Sequence, residues 1–378
     1  MKRTRNALIV LVAGLVGVGL VMVYNACAVR AERFGSEAFF LRKQCIWILI
    51  GVIALIAAAN TDYRRYARMR WPILGLTLAL LAGVLVAGRT WNGARRWIRF
   101  GGIGFQPSEA AKLGLVIFLA AHCAVKEEQE ELARFARGFL PAAFALGAVV
   151  VLVAAGPDLG TAALLAVAGM AVAFAGGVRI RHALAVSVPL LLVLALGVWH
   201  AWDRIADSYV LDRITSFLDP AADPEGIGHQ ARQSVLAIGS GGFLGQWGDG
   251  TAKLLYLPES FSDFVFAITA EELGFAGALL VILLFVAFTY HGLKVMNAAP
   301  DLFGFLLALG ITLVIALQAV IHIAVATASC PTKGIGLPFV SYGGSNLVVI
   351  MFAVGVLFNV AQRARETEAL TEDGEEAF

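Results

Sequence analysis

Apolar runs long enough to span a bilayer alternate with short polar or glycine-rich breaks along nearly the whole chain. A helix needs about 20 apolar residues to cross the hydrocarbon core. On that length scale the pattern predicts spans at Ala7–Ala28, Cys45–Asn60, Pro72–Gly88, Pro107–Val125, Gly138–Ala155, Leu159–Ala175, His182–His200, Phe264–Tyr290, Leu302–Thr327 and Phe339–Ala361. The second and sixth are short and rich in alanine and glycine, so they call for protein neighbours rather than lipid. The longest break runs from about residue 201 to 263, and a long Gly- and Pro-rich loop on a membrane scaffold is more often functional than filler. The predicted fold class is therefore all-α: a polytopic membrane protein with about ten transmembrane helices over residues 1–361. One long extracytoplasmic loop and a charged tail over residues 362–378, expected to be disordered, complete it.

Composition agrees with that pattern and excludes other classes. Of 378 residues, 59% are hydrophobic and 15% charged, with a mean hydropathy of +0.80, against about a quarter charged in soluble domains. Too little polar material remains to cover a water-facing surface, and disorder or a disulfide scaffold is excluded on the same grounds. A net charge of +2 carries no nucleic-acid footprint, so no nucleic-acid partner is expected. Cys27, Cys45, Cys123 and Cys330 are scattered without metal-ligand spacing and read as packing residues, with a Cys27–Cys45 disulfide left open. The basic start and span-length apolar run of the N-terminus read as an uncleaved first helix. No internal repeat is visible, which counts against inverted-repeat transporters.

Lys and Arg near span ends set the orientation. The MKRTR start, the TDYRRYARMR stretch, Lys126, Arg134 and Arg137 fall on one side, predicted to be cytoplasmic together with both termini. The loop GRTWNGARRWIRFGG conflicts with this rule, because Arg89, Arg95, Arg96 and Arg99 fall on the opposite side. It reads either as an anion-binding surface or as an amphipathic stretch on lipid headgroups.

Ionisable groups at membrane depth are costly and find partners. Glu109 and Lys112, three apart in QPSEAAKL, share a helix face and can pair, either to fix packing or to present Lys112 to a cavity. Asp158 in GPDLGTA suits a helix N-cap. Gln318 and His322, four apart, suit a helix-to-helix hydrogen bond. Asp263, where the long loop re-enters the membrane, also suits a helix N-terminus. Yet it stands at the mouth of an outer cavity, facing arginines, as base-assisted transfer from a phosphorylated donor requires. Glu271 and Glu272 lie two turns deeper as secondary candidates. In PTKGIGLPFVSYGGSN, Lys333, Ser341 and free backbone N–H groups suit a phosphate or diphosphate, or form a tight re-entrant turn.

Taken together, WNGARRWIRFGGIGFQPSEAAKL, GPDLGTA, RITSFLDPAADPEGIGHQARQS, AIGSGGFLG, YLPESFSDFVFAITAEELG and PTKGIGLPFVSYGGS resemble one family, the SEDS proteins (shape, elongation, division and sporulation). The matches occur in family order from Trp91 to Ser345, and PTKG and YLPE are closer to division-type than to elongation-type members. The resemblance implies a ten-helix peptidoglycan glycosyltransferase of the bacterial cytoplasmic membrane. It would polymerise lipid II, the undecaprenyl-diphosphate-linked disaccharide-peptide, at the outer face, alongside a class B penicillin-binding protein and other division or elongation proteins. The family's essential aspartate falls on Asp263, and its Glu and Lys after QPS fall on Glu109 and Lys112. The chain departs from the family pattern at Phe261, His322 and Asn346, and in a shortened GQWGDGTAKLL loop.

The expected site therefore has Asp263 as general base. Arg95, Arg99, Gln106, Ser108, Glu109, Lys112, Asp158, Lys333 and Ser341 form the substrate-binding set. Arginines of the basic loop, Lys112 or Lys333, or a divalent cation (Mg or Mn), would stabilise the leaving diphosphate. Two other classes compete with the enzyme: a lipid II flippase, and a non-enzymatic scaffold for a penicillin-binding protein in which Asp263 only caps a helix.

Overall fold

The computed structural model describes residues 1–28, 39–91, 94–100, 103–128, 134–179, 181–182, 217, 227–246 and 260–375. Its longer helices are α1 (Lys2–Ala28), α2 (Phe39–Ala59), α3 (Arg70–Ala87), α4 (Pro107–Glu128), α5 (Leu140–Ala155) and α6 (Leu159–Ala175). They continue with α7 (Ile227–Ser240), α8 (Val265–Asn297), α9 (Leu302–Ala326) and α10 (Gly344–Glu375). Among the described residues, eight helices are long and apolar enough to cross a membrane. This is a polytopic, mostly helical membrane protein.

Local chemistry starts several of these helices. Proline opens α4, where its missing N–H costs nothing, and Glu109 follows in the first turn beside the positive end of the helix dipole. Asp158 caps α6 by accepting from the Thr161 N–H, and Asp301 caps α9 by accepting from the Gly304 N–H at 2.7 Å. Helix α4 forms the interior: 83% of its apolar window is buried, against 11% for α2.

That low burial corrects one expectation. The second span is not short; it begins at Phe39 rather than Cys45 and faces outward through Ile46, Leu49 and Ile53. Its inner face packs tightly on α10, because Gly355 has no Cβ to collide with the Leu55 carbonyl, which would lie 2.3 Å from it. Small residues at such crossings let backbones approach where lipid offers no hydrophobic drive. The sixth span does need protein around it, packing against α4, α5 and α9. The predicted seventh span lies outside the described residues beyond His182.

Three further elements differ from the sequence pattern. The basic loop is a three-stranded antiparallel sheet in the order β1 (Arg89–Trp91), β2 (Ala94–Phe100), β3 (Ile103–Phe105), with Arg89 opposite Trp97 and Ile98 opposite Phe105. The last helix starts at Gly344, so residues 331–343 form an irregular strap instead of the first turns of a span. The tail expected to be disordered continues α10 as helix to Glu375. It is steadied by Arg363–Glu366 at 2.8 Å and by contacts to Asp62 and to the N-terminal amine.

Those contacts also show which ends of the bundle coincide. At one end, Tyr63 donates to Asp301 at 2.6 Å, its N–H bonds Asn359, and Arg363 pairs with Asp62. At the other end, the hairpin, the turn before α6, Asp263 and the strap converge.

Candidate active site

Asp263 ends a short helical segment, Ser260–Asp263, directly before α8. The chain bends at Phe264 (φ −129°, ψ 24°), which separates this segment from the helix that follows. Ser262 Oγ donates to Asp263 Oδ1 at 3.0 Å, while the Ser262 carbonyl accepts from Ser341 Oγ at 2.8 Å. Ser341 Oγ in turn accepts from the Leu337 N–H at 2.6 Å. The strap is thereby stitched to the entrance of α8.

Gly334 explains how closely the strap approaches. A Cβ at this position would lie 3.3 Å from Asp263 Oδ2, a tight contact that the carboxylate would have to ease by a few tenths of an ångström, so the carboxylate stands close over a backbone with no side chain. Its neighbour Lys333 is half-buried, runs its stem along Gly160 at the start of α6, and has no ion-pair partner among the described residues. An aspartate carboxylate and a lysine thus flank Gly334 at this end of the bundle.

A second group of predicted residues gathers around Asp158 at the same end. Asp158 is 5% exposed; its oxygens accept from Thr161 N–H (3.3 Å), Gln106 Nε2 (3.4 Å) and Ser108 Oγ (3.5 Å). Gln106 N–H also reaches Ser345 Oγ at the start of α10. Arg96 of β2 donates through Nε to the Gly156 carbonyl at 2.8 Å and through its guanidinium to the Pro157 carbonyl. A cleft of about 240 Å³ lies among Arg96, Ser108, Asp158 and apolar residues of α3 and α5. The side chains of Arg95 and Arg99 lie outside the described residues; their backbones pair with Thr90 and Gly104.

The third group is the buried pair. Lys112 Nζ lies 2.7 Å from Glu109 Oε2 and donates to Gln318 Oε1 at 2.6 Å, with Lys112 3% and Glu109 6% exposed. They border a cleft of about 310 Å³ between α4, α9 and α10, lined otherwise by aliphatic side chains such as Val116, Ile315 and Ile350. Gln318 Nε2 donates onward to the Gly336 carbonyl at 2.8 Å and to Asn346 at 3.3 Å. The predicted helix-to-helix bond of Gln318 is therefore also a helix-to-strap bond.

Glu271 and Glu272 are buried beside a break in α8, where Gly274 takes φ 68° and ψ −167°. The segment after α7 inserts its backbone there: Phe275 N–H bonds the Gly242 carbonyl, Ala276 N–H that of Phe243, and Gln246 N–H reaches the Glu271 carbonyl. Residues 240–246 replace bonds the helix would make with itself. Sequence reasoning missed this wedge, the carboxylate over Gly334 and the Arg96 clamp; the glycines of GSGGFLG and PTKGIG were the signals available. Among the described residues, no group of three or more His, Cys, Asp or Glu is placed to hold a metal ion.

Comparison with known proteins places the whole chain in a family. The chain is 39% identical to the probable peptidoglycan glycosyltransferase FtsW of Trichlorobacter lovleyi, over 94% of this chain and 92% of that one. It is 39% identical to stage V sporulation protein E of Bacillus subtilis, over 95% and 97%. Among solved structures it resembles a chain of a peptidoglycan synthase complex that coordinates polymerization and crosslinking (TM-score 0.77, 29% identity, 94% of this chain and 97% of that one). It also resembles the rod shape determining protein RodA of Thermus thermophilus (TM-score 0.66, 28% identity, 94% and 95%). The cell cycle protein family model for FtsW, RodA and SpoVE matches residues 6–366, and the chain belongs to that family.

Proposed function

We propose that this chain is a peptidoglycan glycosyltransferase that polymerises lipid II, with Asp263 as its general base. The observation that carries the reading is the Asp263 carboxylate standing over Gly334 beside Lys333, at the end of the bundle where the hairpin and strap converge. In the reaction, the 4-hydroxyl of an acceptor GlcNAc attacks the anomeric carbon of a donor MurNAc. The new C1–O4 bond forms as the C1–O bond to undecaprenyl diphosphate breaks, inverting C1, and Asp263 takes the hydroxyl proton. Negative charge develops on the departing diphosphate, and Lys333, together with Arg95 and Arg99 of β2, supplies the cationic surface for it.

A divalent cation is compatible with these residues, because magnesium bound to substrate phosphates needs only one or two protein carboxylates, and Asp263 offers one. Removing divalent ions by chelation and restoring them tests that requirement. The Lys and Arg distribution supports the reading that both termini are cytoplasmic and that Asp263 works at the outer face. A class B penicillin-binding protein is the proposed partner, supplying the crosslinking activity. An alternating-access flippase should carry its essential charges near the midplane, whereas Asp263 and Lys333 lie at one end.

The test is Asp263→Asn in purified full-length protein with its partner and lipid II, read as glycan strands on a gel. Asn keeps size and capping ability, so folding and partner binding are retained while polymerisation falls by ~10²–10⁴-fold. Strand synthesis at the wild-type rate would exclude catalysis by Asp263, and loss of folding would assign it a structural role.

A further inference from the structure

Two polar side chains of α9 reach consecutive carbonyls of the strap. His322 Nδ1–H donates to the Ile335 carbonyl at 2.7 Å, and Gln318 Nε2 donates to the Gly336 carbonyl at 2.8 Å. The two residues are 1% and 0% exposed, and their spacing of four puts both on one face of the helix. A carbonyl cannot donate, so His322 must carry its proton on Nδ1. The Gln318 amide is likewise oriented without ambiguity, its oxygen toward the Lys112 ammonium at 2.6 Å and its nitrogen toward Gly336 and Asn346. It is a neutral joint whose two ends meet a cation and a carbonyl.

We infer that Gln318 and His322 are positioning residues for glycosyl transfer: by holding the Gly336 and Ile335 carbonyls they fix Lys333 and Gly334 against the Asp263 carboxylate, and Gln318 anchors that grip to the Glu109–Lys112 pair. The inference rests on Asp263 being the catalytic base. The strap has no regular secondary structure between residues 331 and 337, so backbone bonds of its own do not hold it there. Its far end is tied by Ser341 to Ser262 at 2.8 Å, and Ile335 and Leu337 are packed in the interior. Among the described residues, the α9 side chains supply the hydrogen bonds that fix the direction of the backbone around Lys333 and Gly334. The buried ion pair acquires a role by the same route. At 3% exposure and bonded to Gln318 Oε1, Lys112 sets the direction of Gln318.

The experiment compares wild type, Gln318→Met and His322→Leu, each full length in nanodiscs with the penicillin-binding partner, using lipid II as substrate and hydrogen exchange across residues 332–337. Both variants replace a bonding group by an apolar one of similar length, and His322→Leu leaves the ion pair and its Gln318 acceptor intact. The expected result is faster exchange in the strap and a kcat lower by ~10- to 100-fold, the scale of small misplacements of reacting groups. KM for lipid II stays unchanged, and the other helices exchange as in wild type. A variant with a loosened strap and wild-type kcat overturns the inference, as does a loss carried wholly by KM. Should Gln318→Met fail to fold, His322→Leu decides; unfolding of both assigns the residues to packing alone. A wild-type protein that makes no strands would instead fail the catalytic reading, while strap exchange still reports on the mechanical one.

Discussion

At the scale of single residues, the fold decides which polar groups are free to act. Glu109 and Lys112 stand three apart on α4, a spacing visible in the sequence, and the structure closes them to 2.7 Å with both nearly sealed from solvent. Breaking such a pair leaves a buried charge, which costs about 3–5 kcal/mol. Lys112→Ala should therefore lower thermal stability and folded yield together with activity, measured as melting temperature in detergent. Replacing both members by apolar residues should recover much of the lost stability, since no charge is then stranded. An unchanged melting temperature in Lys112→Ala would show that removing the lysine strands no buried charge on Glu109. Asp158 shows the complementary case: its cap suits the residue type, yet only the fold brings Gln106 and Ser108, from across the hairpin junction, to the same carboxylate.

At the scale of elements, the break in α8 is the least regular feature and the most dependent on glycine. Gly245 takes φ +85°, and a Cβ there would lie 2.0 Å from the Glu272 carbonyl oxygen. Gly242 also has positive φ (+56°), but open space surrounds its missing Cβ. Alanine at Gly242 thus costs only backbone strain of about 1–2 kcal/mol, whereas alanine at Gly245 must also displace the backbone wedge from the helix. Hydrogen exchange at Phe275 and Ala276 separates the two: protection should survive Gly242→Ala and disappear in Gly245→Ala. Equal protection in both variants would mean that the wedge does not hold the break. The glycine cluster was legible as a motif in the sequence. Its partner was not, because hydrophobic periodicity runs uninterrupted through Gly274 and nothing local marks where a helix ladder is replaced by another segment.

At the scale of the whole molecule, the end opposite Asp263 is tied by Asp301. Its carboxylate accepts from Tyr63 at 2.6 Å, from Arg64 at 3.0 Å and from the Gly304 N–H, joining the turn after α2 to α9, while Asn359 joins the same turn to α10. Burial, reinforced by the Asp301 carboxylate, raises the Tyr63 phenol well above its ordinary value. The folded state therefore holds this proton more tightly than the unfolded chain, whose tyrosine titrates near ~10. The Tyr63 contribution is fully present below that pH and is lost progressively as pH rises above it. Tyr63→Phe should cost about 1.5–3 kcal/mol at neutral pH, as for a hydrogen bond to a charged group, and should flatten the alkaline fall in melting temperature. An alkaline slope identical in both proteins would show that another group governs it.

The sequence by itself determined the membrane class, most span positions, the family resemblance, and Asp263, Glu109, Lys112 and Lys333 as candidates. These follow from apolar run length, from the cost of charge at membrane depth and from motif order, all of which are properties of neighbours along the chain. It did not determine that the basic loop pairs as a sheet, that the last span yields its first turns to a strap, or that the charged tail stays helical. Each outcome depends on partners far away in sequence: Arg96 on the Gly156 and Pro157 carbonyls, Ser341 on Ser262, and Arg363 on Asp62. The tertiary structure alone decided that the Asp263 carboxylate lies over Gly334 and that Gln318 links a buried ion pair to the same strap. The physical reason is that a buried polar group must find a partner wherever packing brings one, and packing joins residues that no local periodicity relates.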